Sequence, residues 1–388
     1  MRSNNCPLCG GSTAPALRLH FHAKLRLPAS PEIRYCAADN FLFVAAGCQA
    51  DYDEYYSGVA NDTYHQELSA GGSRSPIAQI QSEQLVMAVP ETFFDTPRRV
   101  MDFGCGEASL LIELAIRFPD STFIGFDPGP AARLGIANAK ALGLSNVRIA
   151  NLESTVARGP FDLITVSHVA EHLLEFEAFQ LLESLLADDG LLYVEVPDAL
   201  RYEAFPRSEF LYYFDRLHVN HFTPQSLHGL GAAYGLASVK VLRYAFPYRE
   251  GGQYPALGML FSKGAKRTGI TSPDLLQSAN RYITQEKQEA AKLTQELAGF
   301  PGVLVWGAGD NFFRSMENGG PLAGLRNIVV LDRRPFEINI GGRTLQTVDP
   351  HAGVRAHNWP IVVTVSEGRQ AIAQQIKELD LGRLIFFV

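Results

Sequence analysis

The stretch that decides the fold reads Arg99-Val100-Met101-Asp102-Phe103-Gly104-Cys105-Gly106-Glu107-Ala108-Ser109. A short apolar run ends on an acidic residue, a Gly-x-Gly turn follows, and an amphipathic helical pattern over 108–118 begins at once. Glycines at such a turn let the backbone bend sharply and let a ligand approach the peptide closely. A dinucleotide turn continues to a third glycine, placing pyrophosphate on the helix N-terminus. Here the third position is Ser109, and Asp102 before the first glycine would repel a phosphate. The turn suits a ligand that carries positive charge.

Further along, the same alternation recurs. Buried strands are expected over 122–126, 147–150, 161–166 and 191–196, with a helix over 131–142. Strand and helix alternating at this spacing give a parallel, doubly wound α/β sheet. The second strand ends on Asp127, placed to accept two ribose hydroxyls. The third ends at Asn151, which can take a hydrogen bond from an adenine amine, and the fourth leads to His168 and Glu171-His172. A ligand with an adenosine, an ammonium and a sulfonium fits these tips, and that ligand is S-adenosylmethionine. The cofactor set is therefore Asp102, Gly104, Gly106, Asp127, Asn151 and His168. In order and spacing the stretch resembles the class I methyltransferases, with Asn151 where that family commonly has Asp.

The chain has 388 residues, too many for one ordinary core, and its 46% hydrophobic and 19% charged content is that of a globular protein. A net charge of −7 supplies no basic footprint for nucleic acid, and no apolar run is long enough to span a membrane. The polar start of the chain has no signal-peptide pattern, which points to the cytoplasm. Texture divides the chain into three blocks: 1–50, 51–268 and 269–388.

The first block holds four of the five cysteines. An odd cysteine count argues against a disulfide framework, and Cys6-Pro7-Leu8-Cys9-Gly10 has the form of a zinc knuckle. Cys36 is the third candidate ligand for a closed, structural zinc. The fourth is Asp39, where a second knuckle would place cysteine, or else Cys48, His20 or His22. Tyr52, Tyr55, Tyr56 and Ser57 follow; tyrosines here either close over the methionine end of the cofactor, Tyr56 foremost, or pack against the sheet.

After the fifth strand comes Leu217-His218-Val219-Asn220-His221-Phe222-Thr223-Pro224, at the carboxyl edge where doubly wound sheets bind ligands. A histidine is the natural proton acceptor near neutral pH. The competing expectation is that Thr223 caps a helix over 225–234 and the histidines only pack. In the third block a polar helix over 273–297 has a solvated face at 285–289. Strands over 303–306, 328–331, 361–365 and 384–387 and a helix over 369–379 then form a second, smaller α/β unit.

Taken whole, the chain resembles the three-domain C-methyltransferases that act on nucleotide-linked keto sugars: a zinc domain, a class I methyltransferase domain and a C-terminal Rossmann-like domain. Trp306-Gly307-Ala308-Gly309-Asp310 matches the opening of that C-terminal domain, and His221-Phe222 matches the family's catalytic histidine and its following aromatic. His218 and Asn220 stand where the family has tyrosine and glutamate. The resemblance implies that His221 removes the proton beside the sugar's ketone and that the enolate attacks the sulfonium methyl. His218 and Asn220 would donate to the enolate oxygen, and Gly307, Gly309 and Asp332 would hold the nucleotide. The alternatives are an O- or N-methyltransferase of the same architecture, an oxidoreductase built on Gly307-Ala308-Gly309, and a non-catalytic binding protein.

Overall fold

The computed structural model describes residues 4–21, 27–56, 74–248, 252–263, 269–317, 319–340, 342–365, 369–378 and 382–388. Three short strands lie near the start: β1 (Ala14–Arg18), β2 (Glu32–Cys36) and β3 (Phe41–Val44). The middle then alternates β4 (Arg99–Phe103), β5 (Thr122–Phe126), β6 (Val147–Ala150), β7 (Phe161–Ser167) and β8 (Leu186–Pro197) with helices Ser109–Arg117, Ala131–Ala141, Leu152–Val156 and Ala178–Leu185. A two-residue strand, β9 (Asn220–His221), precedes helix Pro224–Ala233, and a long hairpin follows, β10 (Leu236–Tyr248) with β11 (Gly252–Lys263).

Seven of these strands form one sheet in the order β10-β11-β8-β7-β4-β5-β6. The five central and far strands, β8 to β6 in that row, pair parallel. β11 runs antiparallel to both β8 and β10, so the sheet is mixed where an all-parallel sheet was expected. The reason lies at the edge. β10 reads Leu-Ala-Ser-Val-Lys-Val-Leu-Arg-Tyr, exposed along much of its length, and such a half-solvated strand lacks the continuous apolar run that marks a buried one. In the centre, Val100, Met101, Phe123, Leu163, Ile164, Leu192 and Val194 are fully buried. Leu110, Leu111 and Leu114 cover one face of the sheet, while Phe179 and Leu182 belong to the core of the other. Each such side chain contributes about 1.5–3 kcal/mol.

β2 and β3 form an antiparallel hairpin, and β3 also pairs with β9, Leu42 opposite His221 and Phe43 opposite Asn220. This pairing joins the cysteine-rich start to the middle of the chain. The chain accordingly divides into two compact units, where texture suggested three blocks: Met1–Ala16, Ile33–Phe205 and Leu217–Ser278 in the first, and Leu17–Glu32, Pro206–Arg216 and Ala279–Val388 in the second.

Most of the second unit follows the helix Leu275–Leu297. It contains β12 (Val303–Trp306), β13 (Ile328–Leu331), β14 (Glu337–Ile340), β15 (Arg343–Val348), β16 (Ile361–Val363) and β17 (Ile385–Phe387), in the order β14-β15-β13-β12-β16-β17. All pair parallel except the β14–β15 hairpin, which caps one edge. The expected solvated face of the long helix needs one correction. Glu286 is buried and accepts the backbone N–H of Leu211 at 2.8 Å, and burial pushes its carboxyl up to about 7. No described helix is long and apolar enough to cross a membrane.

Candidate active site

The carboxyl ends of β4, β5, β7 and β8 converge in the first unit. Gly104 (φ +76) and Gly106 (φ +51) turn the chain after β4, and the N–H groups of Gly104 and Cys105 both donate to Phe126 O at 2.7 and 2.9 Å. A Cβ on Gly104 would lie 2.4 Å from Val169, so the position needs glycine for space as well as for φ. Asp127 at the tip of β5 accepts the N–H of Gly106 at 2.8 Å on one oxygen and that of Gly129 at 2.7 Å on the other.

Asp102, near the end of β4, turns inward. It is 3% exposed and accepts the Thr165 hydroxyl at 2.6 Å, behind the turn. Burial pushes its carboxyl up to about 7, with Asp127 and Glu195 adding to the rise and Thr165 opposing it. Asn151 caps helix Leu152–Val156 by accepting the Ser154 N–H at 2.9 Å.

At the end of β7, His168 has a left-handed backbone (φ +53), an uncommon conformation that clusters at functional sites. Its Nδ1 is 3.0 Å from Glu171 and its Nε2 3.3 Å from Glu195, both of them fully buried. Burial alone would lower the imidazole's pKa, but the two carboxylates reverse that and hold it up at about 10. His168 is therefore an imidazolium at neutral pH. Glu195 collects further donors: Gln81 at 2.7 Å, Ser167 at 3.3 Å, Tyr193 at 2.8 Å, and the hydroxyl of Tyr244. Beside it, buried Asp198 takes a two-point grip from Arg243 at 2.7 and 3.1 Å.

His172 and His218 lie near this group. His172 Nδ1 lies 2.9 Å from the Tyr56 hydroxyl and 3.0 Å from Leu217 O, and its ring sits 5.0 Å from that of His218. The Tyr56 carbonyl reaches Gly129, beside the Asp127 tip. Ser57 and His22 lie outside the described residues. Asn220 donates its amide to Ala170 O at 2.8 Å and Leu173 O at 2.7 Å, so both amide protons pin the loop after β7. His221 is 0% exposed, with Nδ1 3.2 Å from the Tyr202 hydroxyl, whereas His218 is half-buried. Thr223 forms a capping box with Ser226 at the helix start, as the capping expectation has it.

Residues 78–241 match the family model described as "Methyltransferase domain". These residues are a methyltransferase domain. Among similar proteins is a trans-aconitate 2-methyltransferase of Methylobacterium radiotolerans, 35% identical over 118 residues, 30% of this chain and 44% of that protein. Another of the same name, from Deinococcus radiodurans, is 31% identical over 139 residues, 35% of this chain and 48% of that protein. The chain thus spans about half the length of the curated relatives it matches. The crystal structure of magnesium protoporphyrin IX methyltransferase from Synechocystis with bound SAH covers 56% of this chain and all of that one, at 15% identity and a TM-score of 0.41.

Outside the methyltransferase domain, Cys6, Cys9, Cys36 and Asp39 place their ligand atoms within 4.8 Å of one another. Cys48 instead precedes helix Gln49–Glu54, and His20 pairs with Glu317 at 2.9 Å in the second unit. In that second unit Gly307 has φ +102, and a Cβ there would lie 2.3 Å from Val365. Gly309 precedes helix Asp310–Met316, whose Asp310 pairs with Arg216 at 3.0 Å. Asp332, at the tip of β13, accepts the Arg334 N–H at 2.9 Å.

Sequence reasoning missed Glu195, Tyr244, Arg243 and Gln81. One signal was available: Glu195 interrupts Leu191-Leu192-Tyr193-Val194-Glu195-Val196, and a charge inside a buried strand needs partners. Two of those partners, Gln81 from helix Pro76–Ala88 and Tyr244 from β10, lie far away in sequence.

Proposed function

We propose that the protein transfers a methyl group from S-adenosylmethionine to a small-molecule acceptor, and that the acceptor is a nucleotide-linked keto sugar methylated on carbon. The observation carrying the transfer reading is Asp127, whose carboxylate is fixed by two backbone amides at the β5 tip, beside the Gly104–Gly106 turn. The cofactor's ribose goes to Asp127. Asp102 and the other buried carboxylates supply negative potential for its cationic end, and Tyr56 flanks it. In the second unit, Gly307, Gly309 and Asp332 are assigned to the nucleotide.

His221 is assigned the base role. Tyr202 fixes its ring, and burial excludes water from it. His221 takes the proton beside the ketone, the C–H electrons become an enolate, and the enolate carbon forms a bond to the methyl as the carbon–sulfur bond breaks. S-adenosylhomocysteine leaves. Asn220, with its amide engaged by Ala170 and Leu173, is assigned to positioning the loop. A second reading, an O- or N-methyltransferase on a small-molecule acceptor, is favoured by the two relatives whose names carry trans-aconitate.

Cys6, Cys9, Cys36 and Asp39 are assigned a structural zinc. The 3.8 Å between the Cys9 and Cys36 sulfurs matches the roughly 3.8 Å edge of a tetrahedral zinc–thiolate site. Asp39 Oδ2 lies 3.0 Å from the Cys6 sulfur and 3.4 Å from the Cys36 sulfur. The N–H groups of Leu8 and Gly11 point at the Cys6 and Cys9 sulfurs, each at 3.4 Å, as in a knuckle. Burial, with Asp39 adding to it, pushes the Cys9 thiol up to about 11, and a bound zinc would favour the thiolate.

Locating a labelled methyl on the product tests the acceptor atom; a methyl on oxygen or nitrogen ends the carbon reading. For the base, His221→Ala should slow transfer about 10²–10⁴-fold with cofactor affinity intact. Exchange of the proton beside the ketone with deuterated solvent, in the presence of S-adenosylhomocysteine, should vanish in that variant. Exchange that survives in it moves the base role elsewhere, His218 first.

A further inference from the structure

We propose that Glu171, His172 and His218 form a binding site for a divalent first-row transition-metal ion. The three offer one carboxylate oxygen and two ring nitrogens, all within 4.8 Å of one another, at the carboxyl end of β7. Two imidazoles and a carboxylate are a donor set that binds zinc or iron(II) with coordination positions left open.

The hydrogen bonding around the cluster supports this assignment. Leu217 O accepts hydrogen bonds and cannot donate, so His172 Nδ1, 3.0 Å away, carries the proton. In the neutral ring that leaves the lone pair on Nε2, which lies 3.9 Å from Glu171 Oε1. A cation between that nitrogen and the carboxylate, a second ring proton or a metal ion, makes the contact favourable, and the gap leaves room for the metal. A metal-bound histidine whose other nitrogen donates to a backbone carbonyl is the usual outer arrangement of such sites, because the carbonyl fixes both tautomer and ring orientation. Glu171 is itself anchored. It is 0% exposed and its Oε1 accepts from His168 at 3.0 Å, while among the described residues its buried Oε2 meets no hydrogen-bond donor. His218 closes the third side, its ring tilted 50° to that of His172. Ligands on one ion stand about 3–4 Å apart, so closing the cluster needs side-chain movements of about an ångström.

The open positions would take oxygen atoms of an acceptor that carries a ketone, hydroxyl or carboxylate. The site therefore stands whether carbon or oxygen is methylated. A metal bound here would occupy His218 and remove it as the alternative base.

The test uses the full chain dialysed against micromolar Zn²⁺ and then against metal-free buffer, with metal counted by mass spectrometry. Wild type should retain one equivalent more than His172→Gln or His218→Gln; the cysteine cluster is common to all three and cancels. Equal metal content in the wild type and both variants overturns the proposal. Should the variants fail to fold, Co²⁺ titration of the wild type decides. A second Co²⁺ equivalent giving visible ligand-field bands without thiolate charge transfer supports the site. A spectrum explained wholly by thiolate-bound Co²⁺ refutes it.

Discussion

Replacing Asp102 by Asn should remove a pH dependence of cofactor binding that the wild type shows between about pH 6 and 8. The Asp102 carboxyl is 3% exposed, and burial together with Asp127 and Glu195 holds it near 7, well above the 3.8 of a free aspartate. A carboxyl whose folded value is raised stabilises the fold while protonated, and that contribution is lost as pH rises through the folded value. For Asp102 the window runs from about pH 4 to 7, with a full amplitude of ~4 kcal/mol. A cationic ligand reverses the preference, because it favours the ionised carboxylate. In the free protein about one-tenth of Asp102 is ionised at pH 6 and about nine-tenths at pH 8, so affinity should rise about tenfold, ~1.4 kcal/mol, across that range. Titration calorimetry in buffers of different ionisation heat should show release of about half a proton per cofactor at pH 7, where Asp102 is half ionised. Asp102→Asn, nearly isosteric and always neutral, should lose both the proton release and this share of the pH response. Identical pH profiles in wild type and a folded variant would refute the reasoning.

Asp127→Ala should weaken S-adenosylmethionine binding by about 2–3 kcal/mol by calorimetry, since it removes hydroxyl acceptors and also frees the Gly106 and Gly129 amides they share. Cys6→Ser should release about one zinc per chain and lower the melting temperature. Asp39→Cys should retain the metal and lose it more slowly to a chelator; metal analysis after purification checks both. Gly307→Ala should destabilise the second unit by about 1–3 kcal/mol in denaturant melts, because φ +102 and the Val365 contact both oppose a side chain.

Much of the fold was legible because its signals are local. β4, β5, β6, β12 and β13 begin and end where their apolar runs do, and the Gly104–Gly106 turn announces itself by composition. The β10–β11 hairpin was not legible: one wet face dilutes the apolar pattern of β10, and Pro255 and Gly258 interrupt that of the buried β11. Asn151 and Asp102 stand near strand tips as expected, but where their side chains point was not legible: one caps a helix, the other turns inward to Thr165. Nor could texture show that β9 would pair with β3, which binds the histidine segment to the cysteine-rich start of the chain.

By itself, then, the sequence determined the parallel α/β core and the order of the strand tips. Periodicity and turn chemistry act over a few residues and survive without context. Only the tertiary structure decided which ionisable groups share a dry space. Glu195, Gln81, Tyr244, His168 and Glu171 come from four separate segments, and the charge state of His168 exists only because two buried carboxylates flank it. Electrostatic coupling depends on distance and burial through space, and the order of residues along the chain encodes neither.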